Sequence, residues 1–442
     1  MIRTILTSLL AGVSILVPCA AHADQWTDEA NRQATMSRMA AQDAANDRAQ
    51  ADRSFQSGLA SQRSMTSSGS GSSYGGSSSS GGTALDGYAN AHRSEPLPQG
   101  PQSVVARRTL IVRIKETPAQ VVARLETEAK AGNAQSAFDL ARIYWTGYGG
   151  VPRNDAAARR WFGVAALAGN RDAQSQYGYM LYNGLGGAAN KAQGIAELAK
   201  AAVAGDPYGG GLHALYTMDY TSDRPQPDKV TGLVKAADAG FLFAQVALGT
   251  IVYELGVGTP VDWQKAAKYA RLAADRGHPL AQVELGRMML TGLAGPKDAA
   301  GGAAYIRKAA EAGYPAGMRL YGQLLITGNG VVKNEAGGWQ WMRKAADAGD
   351  ANAQGVIGTA LLLGQGLKAD PAAAVRYLQL GAVGGDAQAQ FYWGYLQVTG
   401  EFGVTVNKRE AARLLRASSA QDFKPAIEAL ADPEMKAELK GF

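Results

Sequence analysis

Apolar and small side chains recur along residues 116–421 with a nearly fixed period. Similar sequence segments end in a glycine, which we call the closing glycine, at spacings of 35 to 37 residues. The six-residue sequence KAADAG occurs both at 235–240 and at 344–349. The closing glycines are Gly132, Gly169, Gly205, Gly240, Gly277, Gly313, Gly349 and Gly385. A period of this length is typical of a solenoid, in which one supersecondary unit is repeated and stacked.

Within each repeat, large and small side chains alternate at helical spacing. Counted forward from the closing glycine, positions 4 and 9 are always small and position 8 is usually large. Position 9 is glycine in six repeats, at Gly178, Gly249, Gly286, Gly322, Gly358 and Gly394. Glycine inside a helix costs up to about 1 kcal/mol. Because this alternation lets two helices interdigitate, we predict close backbone contact at position 9.

A second glycine, at position 15 of most repeats, predicts that the first helix ends there in a left-handed cap. After a short loop the second helix begins at a capping residue, for which the candidates are Asp155, Asp262, Asn334, Asp370 and Asn407. A large aromatic residue stands eight positions before the next closing glycine, at Trp161, Tyr269, Tyr305, Trp341 and Tyr377. Each repeat is therefore predicted to be two antiparallel helices that need a neighbouring repeat to bury their apolar faces.

The phrase AQVELGRMMLTGLAGPKDAAGGAAYIRKAAEAG at 281–313 resembles the Sel1-like repeat, a relative of the tetratricopeptide repeat. The resemblance covers roughly residues 116–421. It implies an all-α, right-handed superhelical solenoid of about eight helix pairs that serves as a scaffold for other proteins, and the motif carries no catalytic residues. The repeats are expected near 133–169, 170–205, 206–240, 241–277, 278–313, 314–349, 350–385 and 386–421. The remaining residues, 422–442, are predicted to form a terminal capping helix.

The third repeat, 206–240, departs from the pattern. It carries Pro207 and a glycine triplet, Gly209–Gly211, in its first helix, and its inter-helix loop at 221–229 lacks the usual glycines. We therefore predict a bend or soft joint there. The repeats contain no cysteine, so the disulfides and the β-lactam-like ligands of the cysteine-rich branch of the family are not expected here.

The start of the chain predicts export. A basic residue, an apolar run and the Ala21-His22-Ala23 motif are typical of a cleaved signal peptide at 1–23. The alternative is a lipoprotein anchored through Cys19, which Pro18 disfavours. The expected location is therefore the periplasm or the outside of the cell.

A polar segment, 24–115, separates the signal from the repeats. It contains a Ser/Gly tract at 64–83 and several prolines, and it lacks an apolar face to bury, so we predict a disordered linker. The short phrase TLIVRIK at 109–115 fits either a lone strand or the lead-in to the first helix.

Composition argues against several classes of function. The net charge of +6 is spread over 442 residues without a basic stripe, so nucleic acid is not an expected partner. No later segment of the chain is apolar enough to span a bilayer, so the mature chain should hold no integral membrane segment. Composition leaves the oligomeric state open.

No catalytic, cofactor or metal motif is found in the sequence. His92, His213 and His278 lack metal-ligand spacing, and the recurrent G-x-G loops are explained by turn chemistry because a helix precedes them. Four acidic residues stand two positions before closing glycines and are interpreted as a solvated face: Asp238, Asp275, Glu311 and Asp347. We therefore expect neither an enzyme nor a cofactor.

A binding groove is the better functional hypothesis. In helical-hairpin solenoids the first helix generally lines the concave surface, and positions 6, 10 and 13 lie on the side opposite positions 4, 8 and 12. The candidate groove residues are Phe138, Arg142, Trp145, Tyr179, Tyr182, Tyr253, Arg287 and Arg319. Aromatic and arginine side chains dominate protein interfaces. The competing interpretation is that the aromatic residues pack against the next repeat, whereas the arginines are expected to be exposed because an unpaired buried charge is costly.

These observations favour a non-catalytic scaffold or adaptor in the cell envelope that binds a protein or peptide in its groove. The first alternative is a binding protein or enzyme associated with peptidoglycan or another polysaccharide. The second is an inhibitor of a secreted toxin, which would bind by the same mechanism.

Overall fold

The computed structural model describes residues 116–220, 222 and 224–442. The predicted signal peptide, the alternative anchor at Cys19, the linker at 24–115 and His92 all lie outside the described residues. The described chain falls into two compact units, residues 116–269 and 270–442. Both units consist of short helices, and the part of the chain that the structure describes contains no strand.

The first unit contains the helices α1 to α9 and the start of α10. Their bounds are α1 Pro118–Lys130, α2 Ala134–Thr146, α3 Asp155–Leu167, α4 Arg171–Asn183, α5 Lys191–Val203, α6 Pro207–Thr217, α7 Pro227–Asp238, α8 Leu242–Ala247, a π-helical turn Leu248–Val252, α9 Tyr253–Leu255 and α10 Trp263–Asp275. Helix α2 packs on α3, α4 on α5, and α6 on α7. Because short loops join the members of each pair, the helices run antiparallel as predicted.

The second unit continues the same arrangement from the end of α10. Its helices are α11 Pro279–Thr291, α12 Ala299–Glu311, α13 Pro315–Thr327, α14 Glu335–Asp347, α15 Ala351–Leu363, α16 Pro371–Val383, α17 Ala387–Thr399, α18 Lys408–Ser419, α19 Lys424–Ala431 and α20 Pro433–Glu438. The predicted C-terminal capping helix is therefore two helices. Asp432 separates them: its carboxylate accepts the backbone N–H groups of Glu434 and Met435 and caps α20, while Pro433 cannot continue α19.

Glycine ends the first helix of most pairs in the predicted left-handed conformation. The backbone φ is 69° at Gly147, 78° at Gly292 and 68° at Gly364, and the N–H of Gly147 donates to the carbonyl of Ile143. The second helix of the first repeat begins differently from the prediction. Its cap is Asn154, whose side chain accepts the N–H of Ala157, and Asp155 is the first helical residue.

The residue directly after the closing glycine is a helix cap that the sequence analysis missed. Its side chain accepts a backbone N–H three positions on, in one helix after another, at Asn133, Asn170, Asp206, His278, Asp350 and Asp386. These polar residues were visible in the sequence at a fixed position. They mark the start of each first helix more directly than the small residue at position 4 does.

Position 9 is where the two helices of a pair touch, as predicted. A Cβ atom on Gly286 would lie 2.7 Å from the carbonyl oxygen of Gly302, and one on Gly322 would lie 2.8 Å from that of Gly338. Reciprocally, a Cβ on Gly302 would lie 2.6 Å from the carbonyl oxygen of Gly286. Each contact therefore needs a small residue on both helices, and only the first-helix member was identified from the sequence.

The fourth repeat has a longer first helix than its neighbours. In the other repeats with the common loop, the N–H of the second-helix cap donates to the carbonyl of position 12, as Asp298 does to Met289 and Asp370 to Leu361. In the fourth repeat Asp262 donates to Tyr253, which is position 13. The π-helical turn at Leu248–Val252, which contains Gly249 of the predicted contact positions, absorbs the extra residue.

The third repeat forms a helix pair in spite of its unusual sequence. Pro207 is the first residue of α6, where a missing N–H costs nothing, and Asp206 caps that helix. A Cβ on Gly209 would lie 2.4 Å from the Cβ of Ala201, and one on Gly211 would lie 2.5 Å from that of Ala236. The glycines therefore permit close packing. Helix α6 ends at Thr217 without a left-handed glycine, so the predicted soft joint remains a prediction.

Candidate interaction surface

The eight predicted groove residues belong to both compact units. Phe138, Arg142, Trp145, Tyr179, Tyr182 and Tyr253 lie in the first unit, and Arg287 and Arg319 lie in the second. Within the first unit, the guanidinium of Arg142 lies 5.8 Å from the ring centre of Phe138. The structure therefore assembles some of these residues into local groups, and each group is described within its own unit.

Two of the predicted aromatic residues belong to the core. Trp145 is 8% exposed and Tyr253 is 6% exposed. The guanidinium of Arg153 covers the Trp145 ring at 5.0 Å. The π-helical turn gives Tyr253 the same place as position 12 of other repeats, and its ring stacks on Tyr269 with centres 6.1 Å apart. Neither residue presents the surface that a groove would need, and both are packed as the competing interpretation predicts.

The arginines are only partly as predicted. Arg142 is exposed, but Arg287 and Arg319 are half-buried. The guanidinium of Arg287 lies 2.9 Å from Glu284, and that of Arg319 lies 3.1 Å from Asp350. Their charges are therefore tolerated in a partly buried position because a carboxylate is in contact. The expectation of free arginines did not take those partners into account.

On the first helices α2, α4, α11 and α13, an accessible row runs through positions 3, 7, 10 and 14, none of which is buried there. On the two helices of the first unit they are Gln135, Asp139, Arg142 and Thr146, followed by Asp172, Gln176, Tyr179 and Asn183. On these four helices position 10 is therefore accessible, whereas positions 6 and 13 lie mainly between neighbouring helices. On α15 and α17 position 10 is buried, at Thr359 and Tyr395.

A cluster of tyrosines, Tyr179, Tyr182, Tyr216 and Tyr220, lies at this row between the second and third repeats. The rings of Tyr182 and Tyr216 stack with centres 3.7 Å apart and planes inclined by 3°. The side-chain amide of Asn183 donates to the Tyr216 hydroxyl at 3.1 Å and to the Tyr179 carbonyl at 2.9 Å. All four tyrosines are half-buried. We call this set the tyrosine cluster.

The environment favours the neutral form of three phenols of the tyrosine cluster, those of Tyr179, Tyr216 and Tyr220. Burial raises the pKa of Tyr216, and the neighbouring phenols add to that effect, while the Asn183 hydrogen bond opposes it. Burial likewise raises the pKa of Tyr220 and of Tyr179. The cluster therefore offers aromatic surface and neutral hydroxyls at every physiological pH. Tyr216 and Tyr220 were missed because they come from the irregular third repeat and do not occupy the groove positions 6, 10 or 13.

The acidic residues before the closing glycines are not merely solvated. The hydroxyl of a tyrosine in the next helix pair donates to three of them: Tyr269 to Asp238 at 3.2 Å, Tyr305 to Asp275 at 2.6 Å and Tyr377 to Asp347 at 2.6 Å. These bonds join consecutive repeats within each unit. They link tyrosine and aspartate residues 30 or 31 positions apart. All four acidic residues are exposed, as the solvated-face interpretation predicts.

Three ionisable residues meet where the helices α13, α15 and α17 lie together in the second unit. Asp350 and Asp386 cap α15 and α17, and Arg319 pairs with Asp350. The pKa of Asp386 is raised to about 7, chiefly by burial and also by the Asp350 charge, while the Ala389 N–H and Arg319 oppose the rise. This carboxyl is an unusual helix cap, but its role as a cap accounts for its position.

The described histidines act locally. His278 caps α11, where its Nδ1 accepts the N–H of Ala281 at 3.4 Å. Burial and the charge of Lys229 lower the pKa of His213. Among the described residues no group of three or more His, Cys, Asp or Glu side chains is placed to hold a metal ion. No helix in residues 116–220 or 224–442 has the length and apolar character to cross a membrane.

The repeats match a known family model. The Sel1 repeat model matches residues 134–170, 171–206, 242–278, 279–314, 315–350, 351–386 and 387–423. Together these segments make up more than half of the chain. The third helix pair lies outside the matched segments, in agreement with its irregular glycines and loop.

Two solved structures share the fold. One is c5321, a protective antigen of uropathogenic Escherichia coli displaying an SLR fold, with 24% identity, a TM-score of 0.53, and coverage of 72% of this chain and 66% of that one. The other is a Sel1 repeat protein from Oxalobacter formigenes, with 27% identity, a TM-score of 0.52, and coverage of 70% and 89%. This chain thus spans about two thirds of the E. coli protein. No curated protein matches it.

Proposed function

This chain belongs to the Sel1 repeat family, and on that premise we propose that it is a non-catalytic scaffold of the cell envelope whose tyrosine cluster binds a protein or peptide partner. Sel1 repeat proteins generally mediate protein–protein interactions and generally lack catalytic activity. The envelope, the binding surface and the absence of activity in this chain are our proposal.

The tyrosine cluster is the observation that carries the proposal. Tyrosine combines a large apolar ring with a hydroxyl, and it is enriched at interfaces for that reason. The rings of Tyr182 and Tyr216 stack, Asn183 donates to the Tyr216 hydroxyl, and the Tyr220 hydroxyl donates to the Leu215 carbonyl. A partner would therefore meet a surface that is in large part pre-ordered, and less side-chain entropy would be lost on binding. Arg142 is exposed at the same position of the preceding first helix, α2, as Tyr179 has on α4.

The test compares two tyrosines in the first unit. The mature chain would be crosslinked to envelope extract and the captured partner quantified for wild type, Tyr179→Ala and Tyr148→Ala. Tyr148 is 61% exposed on a short turn outside the tyrosine cluster, so it controls for the loss of a phenol. We expect Tyr179→Ala to reduce capture about tenfold or more, as is typical of interface hot spots, and Tyr148→Ala to leave it unchanged, with equal helical circular dichroism in all three.

Equal capture by Tyr179→Ala and wild type would reject the tyrosine cluster as the binding surface. If the captured partner is a secreted toxin, the inhibitor alternative replaces the adaptor role on the same surface. Release of soluble fragments from purified peptidoglycan by the chain would instead support the polysaccharide-directed alternative and would exclude a purely non-catalytic scaffold.

We also propose that the protein acts in the periplasm or outside the cell after removal of residues 1–23. The basic start, apolar run and Ala21-His22-Ala23 motif support this location. N-terminal sequencing of the envelope form should begin at Asp24. A chain that begins at a lipid-modified Cys19 would show the anchored alternative, and a full-length chain in the cytoplasm would contradict export.

A further inference from the structure

A cavity of about 440 Å³ lies in the second unit between α16, α17 and the loop that follows α17. Val375 of α16, Trp393 and Gln397 of α17, and Phe402 and Thr405 of the loop contribute to its lining. None of the lining residues is charged. The volume is within the range of about 300–1,000 Å³ that is common for ligand sites. The tyrosine cluster belongs to the other unit, so this cavity is a separate feature.

The loop that closes the cavity contains a strained aromatic residue. Phe402 has φ 53°, in the left-handed region, and is 54% exposed. The first repeat makes the same turn after α2, and there the corresponding residue is Gly149, with φ 68°. Glycine adopts this conformation without cost, whereas phenylalanine does not. The last repeat thus keeps an aromatic side chain at the cavity rim where the backbone favours glycine, which points to a role for the ring.

Gln397 is a second departure from the repeat pattern at the same place. It occupies position 12, which is Leu181, Leu325 and Leu361 in other repeats. It is 8% exposed, and its buried Oε1 has no hydrogen-bond partner. A buried amide oxygen without a hydrogen-bond partner is costly, and most such atoms in proteins are paired. Glutamine in place of leucine at position 12 therefore destabilises the core unless a bound group forms hydrogen bonds with the Gln397 side chain.

The chemistry of the cavity indicates which kind of ligand would form hydrogen bonds with Gln397. A glutamine amide carries both a donor and an acceptor, as a peptide group does, and its terminal torsion is broad enough to present either atom. The backbone N–H and C=O of the exposed Thr405 form no hydrogen bond within the described part of the chain. The apolar wall of Val375, Trp393 and the Phe402 ring suits an uncharged side chain, because burying a charge there would leave it unpaired.

We infer that this cavity binds an extended, uncharged peptide segment of a partner protein. One apolar side chain of the segment packs against Trp393 and Phe402, and one of its peptide groups pairs with the Gln397 amide. The inference shares one assumption with the proposed function, namely that the ligand is a protein. It adds a second, chemically different recognition site in the last repeat.

The test uses blocked tripeptides and the full mature chain labelled with ¹⁵N. Acetyl-Ala-Leu-Ala-amide should produce saturable shifts of the Gln397 side-chain amide and the Trp393 indole resonances. Acetyl-Ala-Asp-Ala-amide should bind at least tenfold more weakly. Equal affinity for the two peptides would overturn the inference. So would the absence of a saturable shift with the leucine peptide at concentrations up to about 10 mM, which is tenfold above a weak dissociation constant of about 1 mM.

Two variants that other repeats show to be compatible with the fold sharpen the test. Gln397→Leu installs the residue found at Leu361, and Phe402→Gly installs the residue found at Gly149. Each should fold and each should weaken binding of the leucine peptide at least fivefold. Gln323→Leu, a matched change at a half-buried glutamine outside the cavity, should leave it unchanged. Unaltered binding in both cavity variants would overturn the inference.

Two further measurements distinguish this cavity from the tyrosine cluster and from a sugar-binding site. Tyr179→Ala should bind the leucine peptide as wild type does. Rejection of the tyrosine cluster as a binding surface would therefore leave this inference standing, and rejection of this inference would leave the tyrosine cluster standing. Loss of peptide binding in Tyr179→Ala would show that the peptide binds elsewhere and would overturn the inference. Shifts of the Trp393 indole with diacetylchitobiose but not with the leucine peptide would overturn it in favour of a sugar ligand.

Discussion

Single residues decide how closely the helices of a repeat approach. Gly286 and Gly302 lie opposite each other, and either would need to displace a carbonyl oxygen to accept a methyl group. Other helical glycines are not constrained in this way. A Cβ on Gly210 of α6 would make only an ordinary contact, 3.8 Å from the Cβ of Ala202. The same substitution should therefore have opposite effects at the two sites.

Gly286→Ala should destabilise the protein by about 1–3 kcal/mol, because the added methyl overpacks the contact with α12. Gly210→Ala should be neutral or stabilise it by up to about 1 kcal/mol, because alanine is the better helix former. Urea unfolding followed by circular dichroism measures both free energies. Equal effects of the two substitutions would show that the backbone contact at position 9 does not limit packing.

Asp386 should make stability depend on pH. Its pKa in the folded chain is about 7 against an ordinary 3.8, with burial as the main cause. Below pH 3.8 the Asp386 carboxyl is protonated in both the folded and the unfolded chain. Between pH 3.8 and 7 it is ionised only in the unfolded chain, and above pH 7 it is ionised in both. The contribution of this group is therefore lost progressively as pH rises from about 4 to 7.

Asp386→Asn should remove this pH dependence and should be more stable than wild type at pH 8, because asparagine caps a helix as well as aspartate does. The exposed cap Asp370, changed to asparagine, is the control and should leave the pH profile unaltered. Unfolding free energies at pH 4, 6 and 8 test the prediction. It fails if Asp386→Asn and wild type lose stability in parallel over this range.

At the scale of helices, local signals determined what could be predicted. The left-handed caps at Gly147 and Gly292 follow from backbone chemistry that a single residue imposes, and they were predicted correctly. The burial of Trp145 depends on Arg153, and the half-burial of Arg319 depends on Asp350 in another repeat. Those contacts are set by how helices pack on one another, so counting positions along one helix could not separate the accessible row from its flanks.

Helices α6 and α7 should be the most readily opened pair. Helix α6 carries three glycines, which lose the most backbone entropy on folding, and it ends without a glycine cap. Hydrogen-exchange mass spectrometry should show faster exchange in 207–238 than in the pairs α4–α5 and α11–α12. Uniform protection would contradict the predicted joint and would mean that the close packing of Gly209 and Gly211 offsets the entropy cost.

At the scale of the molecule, the period of 35 to 37 residues predicted a solenoid, and the resemblance to the Sel1-like repeat implied its all-α class. Of the eight predicted repeats, seven match the Sel1 repeat model. The cavity in the last repeat could not be predicted, because its lining combines side chains from α16, from α17 and from the loop that follows α17. One signal was nevertheless visible. Gln397 replaces leucine at a core position, and an alignment of the repeats with each other would have revealed it.

The end of the chain is stabilised by α19 and α20. Met435 and Leu439 are buried in one cluster with Leu415 and Phe391, so these helices cover an apolar face that the last repeat would otherwise expose. Met435→Ala should cost about 2–4 kcal/mol, as is typical of buried methionine. Lys436→Ala, at an exposed neighbour, should cost almost nothing. Thermal unfolding compares them, and similar melting temperatures would show that the two helices do not contribute to the core.

The π-helical turn in the fourth repeat limits how such arrays can be recombined. One residue more inside a helix rotates every later side chain by about 100° relative to its counterparts. Chimeras that replace residues 241–252 with the same number of residues from a repeat without this turn would therefore shift the phase of α9 and would turn core residues such as Tyr253 away from the core. Exchanges made at the closing glycines, such as Gly240 and Gly277, keep both ends in phase. Natural shuffling of repeats should show crossovers at those glycines for the same reason.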